Sequence, residues 1–420
     1  MKDMLTLSGE HATLRPYSGG VTQAPVHIQA RERRPTPKGG ALLFTAFEPS
    51  GDDHASAVIA ELKARHPDLA IYAWGGPKME RAGAVIVERT GDDAVMGMPG
   101  IKKIIEHHKI NERIEEWIKQ HRPAAHIPVD SPAANTPIAE IAKQNGCRVV
   151  HLVAPQIWAW GRWRIHKLRR ITDLVLCMLP FEEVFFTRRR VPARFIGHFL
   201  FDKKLDFEAL DRRGSIFGDG EPRVAMMPGS RPDELARNFP ILLDAYAAIK
   251  KKHAGAVGVV AATSDRVAAE LKRMAEASPA GWPESLRVFV QDTDAIVRWC
   301  SLALVKSGTV TMQVAKQNKP MVVFYKKSNP LFYLMARTVL STKMFSLPNV
   351  LARKRIVPEF IPHFGGASAI VRAAEELLTD PVKAEKQRRE MAEVLATFSN
   401  KNAAAEAADG IEEVVGIEKS

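Results

Sequence analysis

Two short loops in the second half of the chain have the composition of a phosphate cradle. Pro228-Gly229-Ser230-Arg231 follows an apolar run at 224–227 and precedes a helical pattern with Asp233 and Glu234 in its first turn. A glycine turn at a helix start offers free N–H groups and the positive end of the helix dipole, to which a hydroxyl and a guanidinium add directed donors. The second loop, Lys306-Ser307-Gly308-Thr309-Val310-Thr311, follows the apolar run 302–305 and again opens a helix. One such turn is common, but two at the carboxyl end of one sheet suit a diphosphate. Lys306 or Arg231 would then offset a leaving group's charge without a metal.

Carboxylates of the first half sit at comparable places. Glu48-Pro49-Ser50-Gly51-Asp52-Asp53 ends the apolar run 41–47 just before a helix. Capping explains Asp52 or Asp53 but not Glu48. Asp130 ends the run 125–129 and precedes Ser131-Pro132; it reads either as a cleft-facing acid or as a turn former. Asp292-Thr293-Asp294 imitates a metal-binding DxD, yet Asp294 is better explained as the cap of the helix that follows. His198 ends another strand and reads as a structural histidine. Residues 157–170 interleave Trp158, Trp160 and Trp163 with five basic side chains, counting arginine and lysine. Such a stretch suits nucleic acid, a membrane surface or a phosphorylated lipid. No nucleic-acid-binding motif accompanies it, which ranks nucleic acid lower.

The elements that position these residues alternate. Strand patterns at 41–47, 69–74, 125–129, 148–153, 174–178 and 193–196 enclose helical patterns at 55–65, 101–119 and 137–145. A polar, glycine-containing stretch at 202–222 reads as a linker. A second series of strands follows at 224–227, 255–261, 286–290, 302–305 and 321–325, and residues 368–415 read as helices over the outside. Alternation of this kind implies parallel sheets covered on both faces, with ligands at the strands' carboxyl ends.

With 420 residues, 46% hydrophobic and 26% charged, the chain has enough apolar residues for two ordinary cores. Its longest apolar stretches, such as 174–181 and 330–340, fall short of the roughly 18 residues a bilayer span needs. Residues 1–40 contain no signal-peptide-like apolar run and read as a flexible extension, so a cytoplasmic protein is expected. Cys147, Cys177 and Cys300 lack metal-site spacing and read as structural thiols. The formal charge of +12 favours anionic partners.

Taken in order, Glu48-Pro49-Ser50-Gly51-Asp52, Trp74-Gly75-Gly76-Pro77-Lys78-Met79, Val95-Met96-Gly97, Asp130-Ser131-Pro132-Ala133-Ala134-Asn135 and Pro155-Gln156-Ile157-Trp158-Ala159-Trp160 are followed by Thr172-Asp173, Leu179-Pro180-Phe181-Glu182, Phe195-Ile196-Gly197-His198, Pro228-Gly229-Ser230-Arg231, Ser307-Gly308-Thr309 and Ser346-Leu347-Pro348-Asn349. This series resembles the signatures of lipid-A-disaccharide synthases across residues 41–400. The resemblance implies a GT-B fold, two doubly wound Rossmann-like domains facing a central cleft, with an acceptor domain at 41–205, a linker at 206–222, a UDP-sugar domain at 223–367 and C-terminal helices at 368–420 packing across them. It also implies an inverting transfer of 2,3-diacylglucosamine from UDP to 2,3-diacylglucosamine 1-phosphate, giving a β(1→6) disaccharide 1-phosphate and UDP with no cofactor or metal.

By the same resemblance, the donor meets Pro228, Gly229, Ser230, Arg231, Ser307, Gly308, Thr309, Gln313 and Asn349. The acceptor meets Ser50, Gly51, Asp52, Asn135 and Trp158, with Asp130 as general base and Glu48 in reserve. Implied partners are the UDP-linked acylated glucosamine, the phosphorylated acylated glucosamine and the anionic inner face of the cytoplasmic membrane, not nucleic acid; a homodimer is admitted. Met96, Met98, Ile101, Ile104 and Ile105 with Lys102 and Lys103 look like the membrane-docking surface, or else an ordinary core helix. Three departures stand in the implied sites: Gln313 where the family usually has Glu, Ala134 in place of an aromatic, and Glu48-Pro49 in place of Glu-Ala. They leave open another UDP sugar, another lipid acceptor, or a catalytically silent membrane-associated relative.

Overall fold

The computed structural model describes residues 40–90, 100–278, 281–326 and 342–418, with side chains of the third helix described from Glu106 onward. All lie within one compact unit, Thr36–Ser420. The N-terminal extension, the Val95-Met96-Gly97 block and the apolar side chains expected to dock on a membrane fall outside the described residues.

Seven strands build the first sheet: β1 (Leu42–Ala46), β2 (Ile71–Gly75), β3 (Val85–Arg89), β4 (Ala125–Val129), β5 (Arg148–Leu152), β6 (Leu174–Cys177) and β7 (Ala193–Phe195). Their order is β3-β2-β1-β4-β5-β6-β7, every pair parallel. Inner strands such as Leu42–Ala46 are buried at every residue, because helices cover both faces and no alternation survives. On one face Phe44, Ile127 and Leu152 pack against Val58 and Leu62 of the helix Pro49–Arg65 and Ile411 of the last helix, Ala403–Val415. On the other, Leu43, Trp74 and Val149 meet Ile110, Ile114 and Ile118 of the helix Gly100–His121 and Ile138 and Ala142 of the helix Pro132–Gln144.

The second sheet repeats the winding with β8 (Arg223–Met227), β9 (Val257–Ala262), β10 (Leu286–Val290), β11 (Leu302–Lys306), β12 (Met321–Lys326) and β13 (Glu359–His363), ordered β10-β9-β8-β11-β12-β13 and parallel throughout. The helices Ser368–Thr379 and Pro381–Leu395 cover it through Ile370, Ala374 and Met391. The chain then returns to the first sheet. There Arg65 binds Asp409 at 2.6 Å and Glu412 at 3.1 Å, and the Asp202 carboxylate accepts from the N–H groups of Ala403 and Ala404.

Two strands escape the sequence pattern. β3 is an edge strand with no buried residue, and β13, also at an edge, carries Pro362, which only an edge or bulge tolerates. The polar stretch read as linker is mostly helical, Phe207–Gly214. Its charges pair with a neighbouring helix, Asp211 with Arg298 and Arg213 with Asp292, while Phe217 inserts against Phe289 and Trp299. Asp292 is also the residue preceding the helix Thr293–Trp299, so Asp294 lies within that helix and is not its cap.

Candidate active site

In each sheet the strand order reverses at one point, between β1 and β4 and between β8 and β11. Ligands of doubly wound sheets bind beyond such a point. Glu48 follows β1, Asp130 follows β4, Pro228-Gly229-Ser230-Arg231 follows β8, and Ser307-Gly308-Thr309 follows β11. The acidic pair and the two candidate phosphate loops therefore occupy equivalent positions of two sheets. Across the gap between them, Arg231 approaches the Glu48 carboxylate at 3.8 Å.

Asp130 is held from below. Its backbone adopts φ +48° and Ser131 adopts φ +41°, a left-handed pair without glycine that needs outside support. That support is Asn135, whose amide donates to the carbonyls of Val129 (2.9 Å) and Asp130 (2.8 Å), while the Asp130 N–H donates to Leu152. Because both amide hydrogens are committed, Asn135 Oδ1 must accept, and it does so from Thr45 Oγ1 at 2.7 Å. With the Thr45 proton used there, the 2.8 Å contact to His126 fixes His126 Nε2–H as the donor to Thr45 Oγ1. His126 is fully buried, and burial, with His151 nearby, lowers its pKa to about 3. This neutral chain leaves the Asp130 carboxylate half-exposed, with no ion pair among the described residues.

The donor side is organised by a carboxylate. Gly229 has φ +115°, and a Cβ there would lie 2.8 Å from Glu234 Oε2. Glu234 is buried in the first turn of the helix Pro232–Lys252 and binds Lys306 Nζ at 2.9 Å and Arg231 at 3.5 Å, joining the two loops. Lys306 is largely enclosed by this pair, whereas the Arg231 side chain is 63% exposed and its contacts to Glu234 and Glu48 are long, which leaves Arg231 the more accessible of the two cations. Pro228 is buried, Ser230 and Thr309 are exposed, and Gln313 is half-buried on the helix Val310–Lys316. Ser307 Oγ donates to Phe345 O at 3.3 Å, and Thr311 Oγ1 to Gly308 O at 2.8 Å, which fixes the second loop.

A family model described as lipid-A-disaccharide synthetase matches residues 42–411. The chain belongs to the lipid-A-disaccharide synthase family. It is 34% identical over 385 residues to the synthase of Anaeromyxobacter sp. (strain K), covering 90% of this chain and 97% of that one. With the synthase of Geobacter sulfurreducens it shares 30% identity over 361 residues, 84% and 91% of the two chains. The chain is accordingly a glycosyltransferase of lipid A biosynthesis. Among solved structures, the Staphylococcus aureus MnaA-UDP co-structure superposes with a TM-score of 0.60 at 10% identity, covering 90% of this chain and 98% of that one. The UDP-GlcNAc 2-epimerase from Neisseria meningitidis does so with 0.58 at 12%, covering 90% and 100%. These likenesses concern the fold, which is of GT-B type.

Several family signature residues turn out to be latches between distant segments. Asp52 accepts from the N–H groups of Lys78 (3.1 Å) and Met79 (3.0 Å), capping the helix Pro77–Arg81, and a side chain on Gly76 would strike it. It is buried, and in the structure its carboxylate serves as this cap. Gly51 lets its helix approach β1, where a Cβ would meet Ala46 at 3.1 Å. Ser50 is exposed beside Glu48. Asn135 has every side-chain polar atom committed beneath Asp130, where it holds that residue's backbone. Asn349 is likewise buried and hydrogen-bonded within the protein: it donates to Val357 O and Glu359 and accepts from Ile356 and Val357. Trp158 donates to Glu182 Oε1 at 2.8 Å and packs edge-on against Phe181. Its neighbour Trp160, not Trp158, lines the large cavity of the first sheet. Asp292 and Asp294 face Arg213 and Lys203. His198 is the structural histidine expected: its Nδ1 accepts from Leu200 N, and burial, with His54 nearby, lowers its pKa to about 4.

The sequence reading missed Thr45, His126 and Glu234. Threonine and histidine inside strands carry no local signal, and a glutamate in a first helical turn resembles ordinary dipole compensation.

Proposed function

We propose that the enzyme transfers 2,3-diacylglucosamine from its UDP donor to 2,3-diacylglucosamine 1-phosphate with Asp130 as general base. The Asp130 carboxylate takes the proton of the acceptor's 6-hydroxyl while that oxygen bonds to the anomeric carbon. The bond from that carbon to the diphosphate breaks on the opposite face, and UDP leaves with its charge met by Arg231 and the N–H groups of the two loops. The proposal routes no step through a metal, because a guanidinium and a helix start at the second sheet can meet a diphosphate's charge. The observation that carries the reading is the opposition of an unpaired, backbone-pinned Asp130 and an exposed Arg231 at the switch points of two sheets. The MnaA and 2-epimerase structures of similar fold hold UDP and UDP-GlcNAc, which supports a UDP-linked ligand for this chain.

Inversion requires the base to come from the side opposite the leaving group, which favours the first sheet's carboxylates. General base catalysis contributes about 10²–10⁴-fold, so Asp130→Asn should lower turnover by that order while UDP affinity stays nearly unchanged. Near-normal turnover in Asp130→Asn together with loss in Glu48→Gln would transfer the role to Glu48. The acceptor's acyl chains and the +12 charge support work at an anionic membrane face. Among the described residues no helix is long and apolar enough to cross a membrane. Sedimentation with anionic vesicles tests the peripheral association. A homodimer is compatible with this reading, and sedimentation velocity reads it directly.

A further inference from the structure

A cavity of about 1150 Å³ opens near the carboxyl end of the first sheet, above the roughly 300–1,000 Å³ that houses ordinary small ligands. Ile110, Ile157, Leu168 and Ile171 give it an apolar lining, while Arg89, Arg164 and Lys167 bring cations to it. Arg89 pairs with Glu80, and Lys167 with Glu140 at 2.8 Å. Arg164 has no carboxylate partner among the described residues. Its guanidinium carbon lies 4.1 Å over the ring of Trp160, itself 42% exposed, and Gly161 at φ +72° makes the turn that folds one over the other. A guanidinium held over an indole ring still has N–H groups to offer, and such a fork can grip a phosphate with two parallel hydrogen bonds.

We infer that Arg164, oriented by Trp160, binds the phosphate of the acylated sugar phosphate whose chains occupy this cavity. The inference rests on the acceptor reading above and deepens it. An apolar cavity alone would suit any lipid. A cation beside it that has no carboxylate partner among the described residues selects a lipid that carries an anion near its polar end, and the contact with Trp160 removes rotamer freedom that an isolated arginine would lose on binding.

The test compares two acceptors, the acylated glucosamine 1-phosphate and the same sugar without phosphate, at saturating UDP donor. The wild type should prefer the phosphorylated acceptor in kcat/KM by about 10–100-fold, the range of a charge-assisted contact, and Arg164→Ala should abolish that preference. The loss should fall on the KM of the phosphorylated acceptor, while KM for the donor stays nearly unchanged. Arg164→Lys should recover part of the preference, since it restores charge without the fork, and Trp160→Leu should lose part of it. An equal loss on both acceptors, or no change on either, overturns the assignment. Calorimetric titration of the phosphorylated acceptor, which needs no turnover, reads the same difference: absence of turnover in the wild type would defeat the transfer reading, while undiminished binding by Arg164→Ala would defeat this one.

Discussion

Replacing Thr45 by Val exchanges a hydroxyl for a methyl in a fully buried side chain, at the middle of the chain that runs from His126 to Asn135. Two partners lose their bond at once. Asn135 Oδ1 keeps no donor, and His126 Nε2–H keeps no acceptor; His126 Nδ1 already lacks a partner among the described residues. A buried polar group left unsatisfied costs about 1–3 kcal/mol, so the pair loses about 2–6 kcal/mol, and the added methyl returns about 0.8 kcal/mol at most. The net loss of a few kcal/mol is a sizeable share of the ~5–15 kcal/mol that holds a typical domain. Guanidinium unfolding should show a lower midpoint at constant slope. Thr45→Ser keeps the hydroxyl and loses only a methyl, and it should retain most of the midpoint. Because Asn135 pins the left-handed Asp130, turnover of folded Thr45→Val should also fall while UDP binding persists. Equal destabilisation by Val and Ser would refute the hydrogen-bonded chain and, with it, the account of how Asp130 is aimed.

Arg231→Ala should remove most of the thermal stabilisation by UDP, since a charge-assisted contact to a diphosphate contributes about 1.5–3 kcal/mol; equal shifts in both proteins would contradict the donor site. Gln313→Glu should tighten UDP binding, because a carboxylate accepts from two ribose hydroxyls where an amide shares its end with a donor; weaker binding would point to another donor. Glu182 is buried, and burial raises its pKa from 4.5 to about 8. The folded state therefore keeps a proton that the unfolded chain has lost, and this contribution to stability is full below about pH 4.5 and fades as pH rises to about 8. Glu182→Gln, which imitates the protonated acid toward Trp158, should flatten that part of a stability profile measured from pH 5 to 8; an unchanged slope would mean the carboxylate is already ionised.

Much of the donor side was legible in the residues alone. Strands β8 and β11 are short apolar runs, and a glycine turn with hydroxyls after such a run is a local feature, readable from its own few residues. The same holds for Asp130 and Glu48, whose place at a strand's end follows from the alternation of strand and helix, and for the alternation itself, which required two parallel sheets. Local patterns grouped Asp52, Asn135, Asn349 and Trp158, whose polar atoms bind other parts of the protein, with exposed residues such as Arg231.

Only the folded chain separates the two kinds. Asp52 reaches Lys78 and Met79, Asn349 reaches Glu359, Trp158 reaches Glu182, and Thr45 joins His126 and Asn135. Each pairing depends on which strands lie side by side, and strand order is a property of the sheet. The same is true of β3 and β13, edge strands that lack the burial giving inner strands their apolar runs, and of the polar stretch 207–217, whose charges find partners only on a neighbouring helix. Sequence patterns thus determined the chemistry available at each strand end. Tertiary structure decided which polar side chains are consumed in holding the strands together and which, like Asp130 and Arg164, keep no ionic partner among the described residues or, like Arg231, stay exposed, because hydrogen-bond partners inside a fold are set by which segments it brings together.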